Sequence, residues 1–177
     1  MPSHYERMHD IQGAFVIANH RLAALMENLD DRQATLKPID GAWTAAQIAW
    51  HVALSNELLA RVLAGEDPAS IVPMPDGFQE SSTLGDLPDF VETYPSLAPP
   101  DDASRTEAAT RLRSSERAVL TALRTVNLHR SQHECVRTPF GTLSLYELGA
   151  CIGAHVDRST SQIERTIAAI SPPGTEA

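Results

Sequence analysis

The chain has 177 residues, 42% of them hydrophobic, which is typical of a single globular domain with one sizeable core. Its formal net charge of −9 argues against binding to nucleic acid or to an anionic membrane surface, because both need clustered Lys and Arg. Two cysteines are too few for a disulfide framework, and the N-terminus MPSHYERMHD lacks the features of a secretory signal, so we expect a cytoplasmic protein.

Four stretches carry the hydrophobic period of amphipathic helices, whereas no stretch shows a useful period-two alternation, so strands are not expected. Three of the four begin at a capping box, in which a Ser or Thr and a Glu or Gln three positions later satisfy the first N–H groups of the helix. The predicted helices run from about Met8 to Leu29, from the Thr44–Gln47 box to Gly65, from the Ser104–Glu107 box to about Val126, and from the Ser144–Glu147 box to Ile170.

A long segment, Gly65 to Asp102, separates the second and third predicted helices and holds seven of the 12 prolines. A connection of this length is usually functional or disordered, and it also suits a crossover between helices that do not form a tight hairpin. Short helical turns are an option at 84–94, and RTPFGTLS, before the last helix, is expected to be a turn. We therefore predict an all-α fold in one domain (1–177): a four-helix bundle over about 8–170 with one long Pro-rich connection (65–102) and a frayed tail (171–177).

Two histidines lie on apolar faces of different predicted helices. His51 shares its face with Ile48, and His155 lies between Ile152 and Ser159. Imidazoles on the inner faces of two helices can converge inside a bundle, where such folds build metal sites. A lone buried histidine is, however, more often a satisfied core residue, and two imidazoles leave a divalent metal short of the three protein ligands of a typical catalytic zinc. Both interpretations stay open on the pattern alone.

Two segments, WTAAQIAWHVALSNELL and GTLSLYELGACIGAHVDRSTSQIERT, are similar to the motifs of the DinB/YfiT-like superfamily of bacterial four-helix bundles. The first resembles its Trp-Ser/Thr signature with a histidine in helix two, and the second its Gly-x-Leu-Ser turn followed by His-x-x-x-His-x-x-Gln-Ile. The resemblance implies a three-histidine site for zinc or nickel, with His51 and His155 as ligands and Ser159 at the third position. A hydroxyl is a poor ligand for these metals compared with imidazole, so the resemblance supports the fold more strongly than the metal.

Cys151 is the candidate substitute for the missing ligand, because it precedes His155 by one helical turn. A thiolate with two imidazoles would favour zinc, although a buried apolar role for this cysteine is the favoured interpretation. Trp43 and Trp50 are expected to anchor the core or line a cleft. Together with two hydroxyl side chains they make up the predicted pocket: Trp43, Trp50, Ser55 and Ser159.

His129 and His133 share one helical turn near the end of the third predicted helix. They could bind a metal together with Cys135, but a surface turn is the favoured interpretation because no second pair of ligands accompanies them.

Three functions follow as expectations. The favoured one is a DinB-like protein with a degenerate site, metal-free or weakly metal-binding. Its polar residues would either still bind a small ligand, such as a thiol, or form a hydrogen-bonded core cluster. The second is a zinc- or nickel-dependent thiol transferase or hydrolase, in which the metal lowers the pKa of a bound thiol or water. The third is a structural homodimer, which the resemblance implies because members commonly dimerise. The pattern assigns no catalytic residue.

Overall fold

The computed structural model describes residues 2–37, 42–80, 95–138 and 141–170, so the turns expected at 84–94 and the tail 171–177 lie outside the described residues. The described residues are mostly helical, as predicted, and they include a small sheet. In the described ranges, no helix is long and apolar enough to cross a bilayer. The elements in chain order are α1 (His4–Asn28), α2 (Asp31–Thr35), α3 (Ala45–Ala64), β1 (Ile71–Pro73), a 3₁₀ turn (Pro95–Leu97), α4 (Arg105–Leu123), α5 (Leu128–His133), β2 (Glu134–Thr138), β3 (Gly141–Ser144) and α6 (Leu145–Ile170).

The two helices that carry His51 and His155 begin at predicted capping boxes. At α3, the Thr44 hydroxyl accepts from the Gln47 backbone N–H at 3.1 Å, and the Gln47 side chain accepts from the Thr44 N–H at 3.0 Å. Ser144 and Glu147 make the same reciprocal pair at the start of α6. Helix α3 ends at Gly65, whose φ of 79° is a left-handed conformation that glycine adopts at little cost. Local signals therefore define both helices.

The other two long helices differ from their predicted bounds. Helix α1 begins a turn earlier than expected, because Ser3 and Glu6 form a capping box ahead of the apolar period. Helix α4 ends at Leu123, and a separate short helix, α5, follows it. The new start is set by Asn127, whose side chain accepts from the Arg130 backbone N–H at 2.9 Å.

The three-stranded antiparallel sheet corrects the expectation that strands are absent. Strand β2 pairs with both β1 and β3, so that Val136 lies opposite Ile71 on one side and Leu143 on the other. The strands have three to five residues, too short for a period-two alternation to stand out in the sequence. Strands β2 and β3 also occupy most of the stretch that was expected to be a turn.

The four long helices α1, α3, α4 and α6 share one hydrophobic core. Helix α3 packs chiefly against α4, helix α1 packs against α6, and α3 also meets α6 directly. Two glycines on α6 permit the close approach to α1: a Cβ at Gly149 would lie 3.0 Å from the Ile11 side chain, and one at Gly153 would lie 3.5 Å from the Phe15 backbone. The contact between α3 and α6 brings the two histidine-bearing faces together.

Residue Glu80, in the first part of the long connection, contacts the first turn of α1 and the start of α6. The Glu80 carboxylate pairs with the Arg7 guanidinium at 2.6 Å and accepts from the Ser144 hydroxyl at 2.8 Å. Arg7 in turn lies over the Tyr146 ring, with its guanidinium carbon 3.6 Å from the ring centroid. Helix α1, the start of α6 and residue 80 therefore form one contact network.

Candidate functional site

His51 is held inside the protein by a backbone carbonyl from the long connection. The side chain is buried, with 3% of its surface exposed, and its Nδ1 lies 2.9 Å from the carbonyl oxygen of Leu97 in the 3₁₀ turn. A carbonyl only accepts, so in this contact Nδ1 carries the proton and Nε2 of the neutral ring carries the lone pair. Backbone carbonyls orient many metal-binding histidines in this way.

His155 faces His51 across the contact between α3 and α6. The ring centroids are 5.3 Å apart and the ring planes meet at 87°, an edge-to-face arrangement. Burial lowers the pKa of His155 to about 3, and the positive charges of protonated His51 and of Arg158 act in the same direction. His155 is therefore neutral at pH 7, so its side chain brings no positive charge to the site.

Three of the four predicted pocket residues are buried or packed near this pair. The Trp43 ring centroid lies 5.1 Å from that of His51. Ser55 donates to the His51 backbone carbonyl at 2.9 Å, and its oxygen lies 3.4 Å from His51 Nε2. Ser159 lies one helical turn after His155 and is buried. The structure thus gives the imidazoles an aromatic and hydroxyl-bearing environment.

Trp50 lies at a different place. Its ring faces α4, where the guanidinium carbon of Arg111 is 5.3 Å from the ring centroid. Trp50 and Arg111 line a cavity of about 410 Å³ between α3 and α4, together with Glu57. Arg111 also pairs with Glu57 at 2.9 Å. Trp50 therefore belongs to the outer side of α3, and its cavity lining does not include His51 or His155.

The donor set does not fit the three-histidine site that the resemblance implies. Across the residues that the structure describes, no three His, Cys, Asp or Glu side chains form a group that could hold a metal ion. Cys151 is buried, and this burial, aided by the Glu147 carboxylate, raises the pKa of its thiol to about 11. Since metals bind the thiolate, this environment is unfavourable for a ligand. The candidate site thus has two buried imidazoles that meet edge to face, and the buried Ser159 follows His155 by one helical turn.

Leu97 is a residue of the candidate site that the sequence pattern does not predict. It acts through its backbone carbonyl, so its side chain gives no chemical signal, and it lies in a Pro-rich segment without a periodic pattern. The other candidate ligands lie on different sides of the surface. His129 and His133 are exposed on α5, whereas Cys135 is buried in β2.

A sequence model described as the DinB superfamily matches residues 14–163, a range that runs from α1 into α6 and includes His51, His155 and Ser159. No curated protein matches the chain significantly.

Proposed function

The chain belongs to the DinB superfamily, and we propose that it is a member with a degenerate metal site that binds a small molecule in place of a catalytic metal ion. In this proposal the four long helices are the four-helix bundle of the superfamily. The observation that supports it is the edge-to-face pair of buried imidazoles, together with a buried serine, Ser159, at the sequence position where the resemblance implies a third histidine. A serine hydroxyl is a poor ligand for zinc or nickel, so metal binding is expected to be weak.

The chemistry of the site favours a ligand that donates hydrogen bonds. His155 is neutral at pH 7, and in the neutral form of His51 the contact of Nδ1 with the Leu97 carbonyl leaves the lone pair on Nε2. Neutral imidazoles accept hydrogen bonds and do not attract anions as imidazolium does. A small neutral thiol or alcohol is the class of ligand that matches, and the thiol agrees with the low-molecular-weight thiol implied by the resemblance.

The test restores the third nitrogen ligand. Wild-type protein, Ser159→His and Ser159→Ala are incubated with Zn²⁺ or Ni²⁺, desalted, and analysed for bound metal. We expect Ser159→His to gain about one equivalent relative to the other two, because three imidazoles make a typical zinc site. The gain should disappear when Ser159→His is combined with His51→Ala. A wild-type protein that holds one equivalent, lost on either His51→Ala or His155→Ala, would contradict the proposal.

The second candidate is a zinc- or nickel-dependent thiol transferase or hydrolase. It is favoured by the contact between His51 Nδ1 and the Leu97 carbonyl, which is the outer-shell arrangement of a metal-binding imidazole. In that case His51 and His155 would hold the metal, and the bound metal would lower the pKa of a coordinated thiol or water. Metal analysis of the wild type, as above, distinguishes the two candidates.

A homodimer is the third candidate. Two large apolar side chains on α1, Tyr5 and Ile17, are 77% and 72% exposed. Light scattering coupled to sizing chromatography tests this directly, and Ile17→Lys should convert a dimer held through α1 into a monomer.

A further inference from the structure

Helix α5 presents two imidazoles to solvent from one face. The ring centroids of His129 and His133 are 4.4 Å apart, and the ring planes differ by 26°. Both residues are exposed. His133 Nδ1 lies 2.8 Å from the His129 carbonyl oxygen, so Nδ1 donates and the lone pair of the neutral ring is on Nε2. One of the two imidazoles is therefore oriented by its own backbone, with its basic nitrogen on the edge away from that contact.

The backbone that carries the pair is fixed at both ends. The Asn127 side chain caps the start of α5, and the Met74 backbone N–H donates to the His133 carbonyl at 2.8 Å. The Arg130 guanidinium, on the same helix, donates to the Leu63 carbonyl at 2.9 Å. These contacts join α5 to the end of α3 and to the segment after β1. Little backbone freedom remains to be lost when a ligand bridges the two rings.

We propose that His129 and His133 form a surface site for one divalent transition-metal ion of the zinc, nickel or copper class, with water completing the coordination shell. Histidines four residues apart on one helical face are the spacing with which metalloprotease helices bind zinc. Two nitrogens at 2.0–2.1 Å from one metal lie roughly 3 Å apart, so rings stacked at 4.4 Å need only small rotations. Imidazole ligands select these ions over Mg²⁺ and Ca²⁺, which prefer oxygen.

The site has two protein ligands. Cys135, two residues after His133, is fully buried in β2, and burial raises the pKa of its thiol. Its side chain is thus not available as a thiolate beside the exposed rings. Because water fills the remaining positions, binding is weaker and more readily reversed than at a closed structural zinc site. The proposal is independent of the small-molecule site at His51 and His155.

The test uses full-length protein without an affinity tag. Zn²⁺ affinity is measured by competition with a chromophoric chelator, and Co²⁺ uptake by its visible absorption, for wild type, His129→Ala, His133→Ala and the double variant. Loss of an outer-shell partner alone weakens metal binding by roughly 10–100-fold, so loss of either ligand should cost at least about tenfold. The double variant should lose the ion. Unchanged far-ultraviolet circular dichroism and melting temperature show that these exposed positions leave the fold intact.

Two matched controls identify the site. His20→Ala removes another exposed histidine, on α1, and should leave Zn²⁺ and Co²⁺ binding unchanged. His51→Ala should keep the ion assigned to α5, which separates this site from the pair in the core. The proposal is overturned if His129→Ala and His133→Ala bind Zn²⁺ as the wild type does, or if the wild type binds neither ion.

Discussion

The ring of His51 is oriented by the carbonyl of Leu97, 46 positions further along the chain and 2.9 Å away. The Pro-rich connection is thus more than a link between α3 and α4, because its end determines which nitrogen of His51 carries the proton. A site residue on a well-predicted helix depends on a segment whose conformation the sequence pattern does not specify.

Replacing Leu97 should disturb both stability and this orientation. The Leu97 side chain is buried, so Leu97→Ala should lower the free energy of unfolding by about 2–5 kcal/mol. The loosened carbonyl should also shift the ¹⁵N resonances of His51 from a single Nδ1–H tautomer toward a mixture. Leu128→Ala, at an exposed leucine, is the control and should alter neither quantity. Unchanged imidazole ¹⁵N shifts in Leu97→Ala would show that the contact does not set the tautomer.

The metal-free protein should lose stability between about pH 6.5 and pH 3 through His155. The pKa of His155 is about 3 in the folded chain against an ordinary value of 6.5, so the unfolded chain takes up the proton first. The free energy of unfolding is unaffected by this group above pH 6.5. Below that pH it falls by about 1.4 kcal/mol per pH unit, so that about 2 kcal/mol is lost at pH 5. Urea unfolding at pH 7 and pH 5 measures it, and His155→Gln should flatten the dependence. The control is His20→Gln, which should keep the wild-type dependence. If the free energy of unfolding changed equally with pH in His155→Gln, His20→Gln and wild type, the loss could not be assigned to His155.

The two glycines on α6 should respond differently to the same substitution. A Cβ at Gly149 would lie 3.0 Å from Ile11 and 3.2 Å from Leu123, so Gly149→Ala should destabilise by about 1–3 kcal/mol through overpacking. At Gly153 the nearest atoms are at 3.5 Å, and alanine there should be neutral or gain up to about 1 kcal/mol of helix propensity. Thermal unfolding of both variants checks the difference. The packing account fails if Gly149→Ala is the more stable of the two.

Neither cysteine should react with alkylating agents in the native protein. Cys135 and Cys151 are buried, and burial raises the pKa of both thiols, that of Cys151 to about 11. Because only the thiolate attacks, iodoacetamide at about pH 8 should label neither residue until urea unfolds the chain. Mass spectrometry counts the labels in each state. Rapid native labelling of Cys151 would indicate an accessible thiolate and would reopen its role as a ligand.

The sequence predicted the helices of the site because their signals are local. The Thr44–Gln47 and Ser144–Glu147 boxes need only residues three apart, and Gly65 ends α3 by its own conformation. The apolar periodicity then assigns His51 and His155 to the inward faces of these two helices. Capping and periodicity therefore account for the part of the fold that positions the candidate site.

Long-range features could not be predicted in the same way. The strands are too short to show a period. Strand β1 pairs with a strand far along the chain, Ile71 lying opposite Val136, although β2 and β3 are neighbours in sequence. Helix α3 is buried on most of its surface, so its sequence could not show that Trp50 faces α4 and Arg111. The role of the Leu97 carbonyl leaves no signature in the sequence, since every residue has a backbone carbonyl.

Because a main-chain oxygen orients His51, side chains alone cannot reproduce the geometry of the two imidazoles in another protein. If His51, His155 and Ser159 were grafted onto another helical scaffold, either nitrogen of the His51 ring could carry the proton. Only a graft that also included the backbone around Leu97 would restore a single tautomer. Engineers who wish to reuse this constellation must copy a path of the chain as well as three amino acids.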